Sequence, residues 1–562
     1  MIHERRKLLA YRDLMMKQTN RTLLAGFSIL LTACGGGGNG KESQGKQYSS
    51  LSSRTVSSSV SSSTVFSSLS SSSLPSAPLP QLTALNKSSG SEIVTGATIV
   101  VTSSCDYCDS AKTRYEWFVE GNNIPVSTTE SYLIPSVNAL KKITIKATPY
   151  SADYVGGLTE SLVIARNHVE KIVSNGSVFA ALKTDGSVVT WGHPLRGGDS
   201  TGKDLTRVVS IFSNAVAFAA LKLDGSVVTW GDPDRGGNSA NKDVMQVSSI
   251  VSNMFGFAAI KKDGSLVTWG DFSSDIQSLK NIVSVAATSD GFAAIQAGGN
   301  VVSWGGNGGN SMGKDLTNVV SIVGNPTAFA AIKADESVIT WGSSTGGGDS
   351  SGKDLTHTTS IAKTVNAFAA IKRDGSVVSW GDPNYGGDNS GKDLTDVVKV
   401  VGNWAAFAAL KADGSVVTWG QAAYGGDSSS VVLTDVVSIV SNPGAFAAIK
   451  DDGSVVTWGG NGGDSVGKDL TSVVSVVGNN AAFSAIKRDG SVVTWGEGAG
   501  GDSSGKDLSQ VVTVVGGDFS HAFAAIKIDG SVVTWGDAGS GGDSSGVDFS
   551  QKDVILSNSL NP

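Results

Sequence analysis

Ten tryptophans recur at near-constant spacing, and no other feature restricts the fold as much. They are Trp191, Trp230, Trp269, Trp304, Trp341, Trp380, Trp419, Trp458, Trp495 and Trp535, each 35 to 40 residues from the next. Each closes a copy of Phe-Ala-Ala-(Ile/Leu)-Lys-x-Asp-Gly-Ser-Val-Val-Thr-Trp-Gly. Lapses are few: Gly298-Gly299-Asn300 and Asp335-Glu336-Ser337 stand where other copies read Asp-Gly-Ser. A period of about 38 residues signals stacked or radial units rather than independent domains.

Each copy divides into three strand-like runs. In the seventh, Asp396–Gly402 is rich in β-branched residues and Ala406–Lys411 follows. Asp413-Gly414 then makes a two-residue turn that accepts positive φ, and Ser415–Trp419 is the third run. The product is a meander apolar on both faces. Such a sheet needs a neighbour on each face, as a propeller blade has, and one unit does not fold alone. The pattern predicts an all-β chain with a β-propeller of ten short units over residues 167–562, three-stranded or, with one more run, four-stranded. A further first-type run, Val554–Ser557, is expected to pair beside the first unit and close one large ring. A seven-bladed ring with a partial array, and an open superhelix, are the alternatives.

The marker, with its Asp-Gly…Trp-Gly core, resembles the repeats of the regulator of chromosome condensation family, in the short form of the propeller-type β-lactamase inhibitory protein. The resemblance covers about 390 residues and implies a β-propeller. That family usually closes with about seven blades, so ten copies are a departure.

The N-terminal part is built differently. The apolar stretch Thr22–Cys34 is too short to span a bilayer as a helix, which takes about 20 residues. Lys17 and Arg21 precede it and small residues end it, the layout of a signal peptide. Leu31-Thr32-Ala33-Cys34-Gly35 resembles the lipobox of bacterial lipoproteins. That implies removal of residues 1–33, acyl chains such as palmitate on Cys34, and a membrane anchor. The long leader is consistent with a start at Met15 or Met16 instead of Met1. By resemblance to sorting signals, Gly35 after Cys34 favours the outer membrane, so the expected location is the bacterial cell envelope. Residues 34–90 read as a Gly/Ser-rich flexible linker, since 16 of the 26 residues from Ser49 to Leu74 are Ser and such a tract buries too little apolar surface to fold.

Residues 91–166 carry short alternating runs, Ala97–Thr102, Arg114–Glu120, Ile143–Thr148 and Ser161–Ala165, the pattern of a small β-sandwich. Tyr115–Gly121, Tyr132–Ile134 and Ile143–Tyr150 resemble bacterial Ig-like domains, which implies that Trp117 is the buried core Trp. Cys105 and Cys108 read first as a local disulfide in an exported protein. A redox pair and a metal site stay open, although no thioredoxin-like pattern surrounds them.

Composition closes off several functions. Lys plus Arg number 43 against 50 Asp plus Glu, and without residues 1–33 the balance is 37 to 48. A chain of this sign carries no electrostatic footprint for nucleic acid. Three Cys and five His supply no four-ligand zinc site, and neither a cofactor nor a metal is expected. His-Glu-x-x-His, Gly-x-Ser-x-Gly and Walker signatures are missing.

The copies can be compared with one another. Positions shared by most copies, the Phe and Trp above all, belong to the scaffold, so a site belongs where copies differ. Strand order brings two connections to one face. The turn between the first two strands carries Met254, Phe255, Trp404, Phe519 and His521; the loop after Trp-Gly carries Arg196, Arg235, Tyr385 and Tyr424. Aromatic and Arg side chains in otherwise small, polar loops are typical interface anchors, and Tyr385 and Trp404, on neighbouring units, are expected to share a patch. The other reading is that these side chains cover blade edges. The recurrent Gly-Gly-Asp-Ser-Ser-Gly-Lys-Asp-Leu offers oxygens at Asp349, Ser351 and Asp354, but without a bidentate Glu it reads as a turn whose Asp side chains bond the backbone. The expected function is a non-catalytic, envelope-anchored module that binds a protein or glycan. The alternatives are a polysaccharide-acting enzyme using loop acids such as Asp234 and Asp382, or an enzyme inhibitor.

Overall fold

A computed structural model describes residues 81–87, 98–106, 113–133, 141–148, 150–151, 154–155 and 160–558, less 272–278, 307–310, 461–462, 518 and 550–552. Cys34, the leader, the Ser tract and Cys108 lie outside the described residues. So does any pairing of Cys108 with Cys105.

The first strands form a two-sheet sandwich. β1 (Gln81–Lys87), β2 (Thr98–Asp106) and β4 (Ser131–Leu133) make one sheet. β3 (Arg114–Val119), β5 (Ile143–Thr148) and β8 (Glu160–Arg166) belong to the other, and β6 (Tyr150–Ser151) pairs β7 (Tyr154–Val155) as a short ribbon. Alternation sends Tyr115, Trp117 and Val119 inward to meet Ile143 and Ile145 on their own sheet and Leu85 and Ile99 across the layer. Trp117 is fully buried and donates its indole N–H to Thr129 O (2.6 Å), which satisfies the one polar atom that burial strands. The segment read as linker therefore contributes a strand: β1 lies inside residues 34–90, because past the Ser tract Leu85 supplies a core side chain.

Ten three-stranded antiparallel sheets follow among the described residues, one per copy and in chain order within each. Blade 2, with Val208–Ser213, Ala217–Lys222 and Val227–Gly231, is representative. The period-2 alternation of its middle strand feeds two cores at once. Phe218 and Ala220 pack with blade 1, and Ala217, Ala219 and Leu221 pack with blade 3. Alanine on both faces lets flanking sheets approach closely, and the Phe and Trp of each copy fill the seam. In every blade the two rings stack, with centroids 5.1 to 5.5 Å apart. Rings of this size each bury about 150–250 Å², several kcal/mol per blade at about 25 cal/mol per Å².

A Gly-Gly pair makes the joint between blades. Gly386, at φ +88°, lies under the Phe407 ring of the next blade, and a Cβ there would stand 2.6 Å from Phe407 Cδ2. Its carbonyl accepts the indole N–H of Trp419 at 3.0 Å. A Cβ on Gly387 would collide with the Gly381 carbonyl. The same joint serves Trp230, Trp269, Trp380 and Trp458. Trp304, Trp341, Trp495 and Trp535 bury an indole N–H with no acceptor among the described residues, and each follows a loop one to four residues shorter than the others.

The joint also closes the ring. Trp191 of blade 1 donates to Gly541 O of blade 10 (3.0 Å), and Phe179 and Trp191 share a core with Ala522, Ala524 and Ile526. Ten blades make one ring, neither seven plus an array nor an open superhelix. The terminal strand, Asp553–Asn558, does not pair beside blade 1 as expected. It pairs antiparallel with β8 and completes the four-stranded sandwich sheet β3-β5-β8-terminal. Blade 1 has no vacancy for it, since its three strands come from one contiguous copy, whereas β8 enters the ring beside the point where the chain leaves it.

Candidate binding site at the channel mouth

The first strand of each blade is innermost. The ends of these strands abut around the axis: Ser213 Oγ donates to Ser174 O (3.0 Å), Ser252 Oγ to Ser213 O (2.7 Å) and Ser441 Oγ to Gly402 O (3.2 Å). Each end leads into a turn held by a side chain. Asn403 is typical: its Oδ1 accepts from the N–H groups of Ala405 and Ala406, and its Nδ2 donates to Tyr424 O (2.7 Å) in the loop after the third strand. Asn175, Asn214 and Asn325 bond their own loops the same way, to Arg196 O, Arg235 O and Gly346 O, and Thr364 Oγ1 reaches Tyr385 O. The two variable connections therefore lie at one end of the blades, as strand order predicts.

Neighbouring turns are stitched together. Met254 N donates to Ser289 O, Ser289 N to Pro326 O, Val365 N to Trp404 O, Trp404 N to Pro443 O and Asn480 N to Ser520 O. Within this girdle lies a cavity of about 480 Å³ lined by residues of eight blades, which places it on the ring axis. The size falls in the usual range for ligand sites, about 300–1,000 Å³. Its rim is apolar where the copies differ most: Met254, Pro326, Val365, Trp404, Pro443 and Phe519. Met254, Trp404 and Phe519 are 44, 41 and 56% exposed, and Trp404 is the one exposed Trp of the twelve. Phe519 projects because the blade 10 turn is two residues longer than that of blade 9. Among the described residues, Lys363 is the one charged side chain of the lining.

The other candidates go elsewhere. Tyr385 and Tyr424 are half-buried, packed against the cores between blades 6 and 7 and between blades 7 and 8. They cover blade seams, and the shared patch of Tyr385 with Trp404 does not form in the cavity, although both carbonyls are bonded by the Thr364-Val365 turn. The guanidinium of Arg235 sits 4.5 Å over the half-buried Phe255 ring, a cation–π contact. Arg196 donates to Ser177 Oγ (3.0 Å), and the His521 ring is 3.2 Å from Asn480 Nδ2. Asp234 and Asp382 belong to blades 2 and 6, four positions apart in the ring, and are not brought together; the carboxylates two residues before Asp234 and at Asp382 instead accept a loop N–H.

At the opposite end of the blades, the Asp of each Lys-Asp-Leu is committed to the scaffold. Asp354 Oδ1 accepts from the N–H and hydroxyl of Thr356, and Oδ2 from Lys372 Nζ (2.6 Å). Equivalent pairs join Asp204 to Lys222, Asp243 to Lys261, Asp315 to Lys333, Asp393 to Lys411, Asp469 to Lys487 and Asp507 to Lys527. The ammonium and hydroxyl bonds hold Asp204, Asp315 and Asp469 at a pKa of about 2. Asp349 accepts from Ser351 N, so the loop reads as a turn.

Sequence reasoning missed Lys363 and the Lys–Asp pairs. Both had a signal between copies. Where Ser278 and Val432 replace the Asp, the fourth blade carries Gln296 for its Lys while the eighth keeps Lys450.

No family model matches the chain, and no curated protein matches it. Among solved structures it is similar to the ectodomain of the receptor kinase CR4 from Physcomitrella patens, at 16% identity over 46% of this chain and 73% of that one, with a TM-score of 0.30. It is also similar to Prp20p from Saccharomyces cerevisiae, at 17% identity over 46% and 83% with a TM-score of 0.29. Human WBSCR16 gives 14% over 48% and 80%, with a TM-score of 0.27. The propeller assignment rests on the blades themselves.

Proposed function

We propose that this chain is a lipid-anchored envelope protein whose propeller is a non-catalytic binding module, with the channel mouth as its contact surface for a protein or glycan. The observation that carries the reading is the contrast between a fixed girdle and a varied rim. The residue after each turn Asn or its equivalent reads Gly176, Ala215, Met254, Ser289, Pro326, Val365, Trp404, Pro443 and Asn480, while the surrounding backbone bonds repeat. A girdle that repeats while its rim residues change is built to present side chains. The lipobox, the Ser tract and an Ig-like spacer would hold that rim away from the membrane.

The test is capture from envelope extracts and on purified glycans by the full chain with Cys34→Ser, beside a bait that also carries Met254→Ser, Trp404→Ser and Phe519→Ser. A partner retained by the first bait and lost by the second is the expected result. Equal retention by both overturns the mouth as the contact surface.

A further inference from the structure

The two ends of the blades differ in charge. At the far end, the Asp of seven Lys-Asp tracts is met by a Lys of its blade. At the mouth end, the loops that follow the third strands carry Asp232, Asp234, Asp271, Asp382, Glu497 and Asp537 against Arg196 and Arg235. Arg235 is itself held over the Phe255 ring and donates to Met254 O. On the inner edge Asp290 and Lys363 cancel in net charge. Residues 272–278, 307–310, 461–462 and 518, at the same end but outside the described residues, include no Lys or Arg, so they leave the sign as it is. Asp234, Asp271 and Glu497 are exposed.

Inside this acidic ring lies the apolar rim. Its backbone offers a polar ligand little, because the N–H groups of Met254, Ser289, Val365 and Trp404 and the carbonyls of Pro326 and Pro443 bond within the girdle. What the rim presents is the side-chain surface of Met254, Trp404 and Phe519. A face of one sign attracts partners of the other, and an apolar pocket anchors an apolar side chain.

We infer that the mouth takes a basic polypeptide segment, which inserts an apolar stretch on the axis and sets Lys or Arg side chains against the surrounding acids. This rests on the mouth being a binding site and adds the chemistry of its partner. A neutral glycan makes no use of the acidic ring, and a polyamine none of the apolar rim; a polypeptide supplies both.

Trp404 alone of the twelve Trp is exposed, so acrylamide quenching of Trp emission reports on the mouth. The full chain with Cys34→Ser is titrated with three capped, Trp-free peptides: Leu-Phe-Leu between Lys-Arg pairs, Leu-Phe-Leu between Glu-Glu pairs, and Ser-Ser-Ser between Lys-Arg pairs. The first is expected to shield Trp404, with an affinity that falls as salt rises, and to bind more tightly than either of the others. Asp234→Asn, Asp271→Asn and Glu497→Gln together should raise its half-saturating concentration about tenfold, as loss of three surface charge pairs implies, with an unchanged urea midpoint as the check on folding. Equal shielding by the basic and acidic peptides, an unchanged titration in the triple variant, or no shielding by the first peptide overturns the inference. A captured partner that is lost with Met254→Ser, Trp404→Ser and Phe519→Ser but retained by the triple acid variant would keep the mouth as a binding site and remove the basic partner.

Discussion

Replacing Trp419 by Phe and, separately, Trp495 by Phe isolates one hydrogen bond of the blade joint. Both indoles are almost fully buried and stack on the Phe of their own blade, at 5.1 and 5.5 Å. Trp419 donates to Gly386 O at 3.0 Å, whereas Trp495 Nε1 has no acceptor among the described residues. Each substitution removes about 40 Å³ of packed volume, about 1 kcal/mol at roughly 24 cal/mol per Å³. At Trp419 it also leaves a buried carbonyl without its donor, a further cost of about 1–3 kcal/mol. At Trp495 it removes an unsatisfied buried N–H, a gain of similar size that offsets the cavity. Trp419→Phe should therefore cost at least about 2 kcal/mol more than Trp495→Phe. The assay is urea unfolding of the full chain with Cys34→Ser, paired with hydrogen exchange of blades 7 and 9, since a repeat ring need not unfold in one step. Equal costs, or a larger cost at Trp495, would refute the joint.

Other perturbations probe other parts. Gly386→Ala meets Phe407 at 2.6 Å and a left-handed φ, so it should cost about 3 kcal/mol or more; Gly391→Ala, with positive φ but open space, should cost about 1 kcal/mol. Trp404→Ser should leave the urea midpoint nearly unchanged, whereas Trp419→Ala should cost about 3–5 kcal/mol. The paired Asp carboxyls titrate lower folded than unfolded, so their contribution is complete above about pH 4 and disappears as pH falls toward 2. The Tm should fall across that window, less steeply when Asp204, Asp315 and Asp469 are changed to Asn, and a variant with an unchanged slope would contradict the assignment. Deleting residues 553–562 should raise exchange along Glu160–Arg166 and leave blade 1 protected; loss of protection in blade 1 would show that the terminal strand holds the ring.

Much of the scaffold was legible because each blade repeats one period-2 pattern under one constraint. A strand apolar on both faces has only one place to go, so Ala406–Lys411 and Ser415–Trp419 were readable as neighbours inside a blade. Orientation at the rim was not. Tyr385, Tyr424 and Trp404 look alike in sequence, yet the tyrosines follow the third strand, where the loop folds back over the next seam and buries half of each ring. Trp404 sits on the axial turn, where no neighbouring sheet covers it. Spacing places a residue at one end of a blade and does not say whether it faces the seam or the axis. The fate of Val554–Ser557 depended on an edge that only the folded sandwich offers. Lys363 was readable in principle, as a long side chain where other copies carry Ser, Ala or Gly, but its place at the mouth needs the ring.

The axial mouth exists only if blade 10 meets blade 1 and closes the ring. At that seam a Cβ on Gly517 would lie 3.3 Å from Ser174 Cβ, close to the separation a disulfide spans, about 3.5–4.5 Å. The direct measurement is oxidation of the Ser174→Cys, Gly517→Cys variant in a chain with Cys34, Cys105 and Cys108 changed to Ser. A closed ten-bladed ring gives near-complete intramolecular cross-linking, seen as a reductant-reversible mobility shift of the monomer. An open array keeps these residues apart, and free thiols or intermolecular dimers would contradict the ring and the mouth with it.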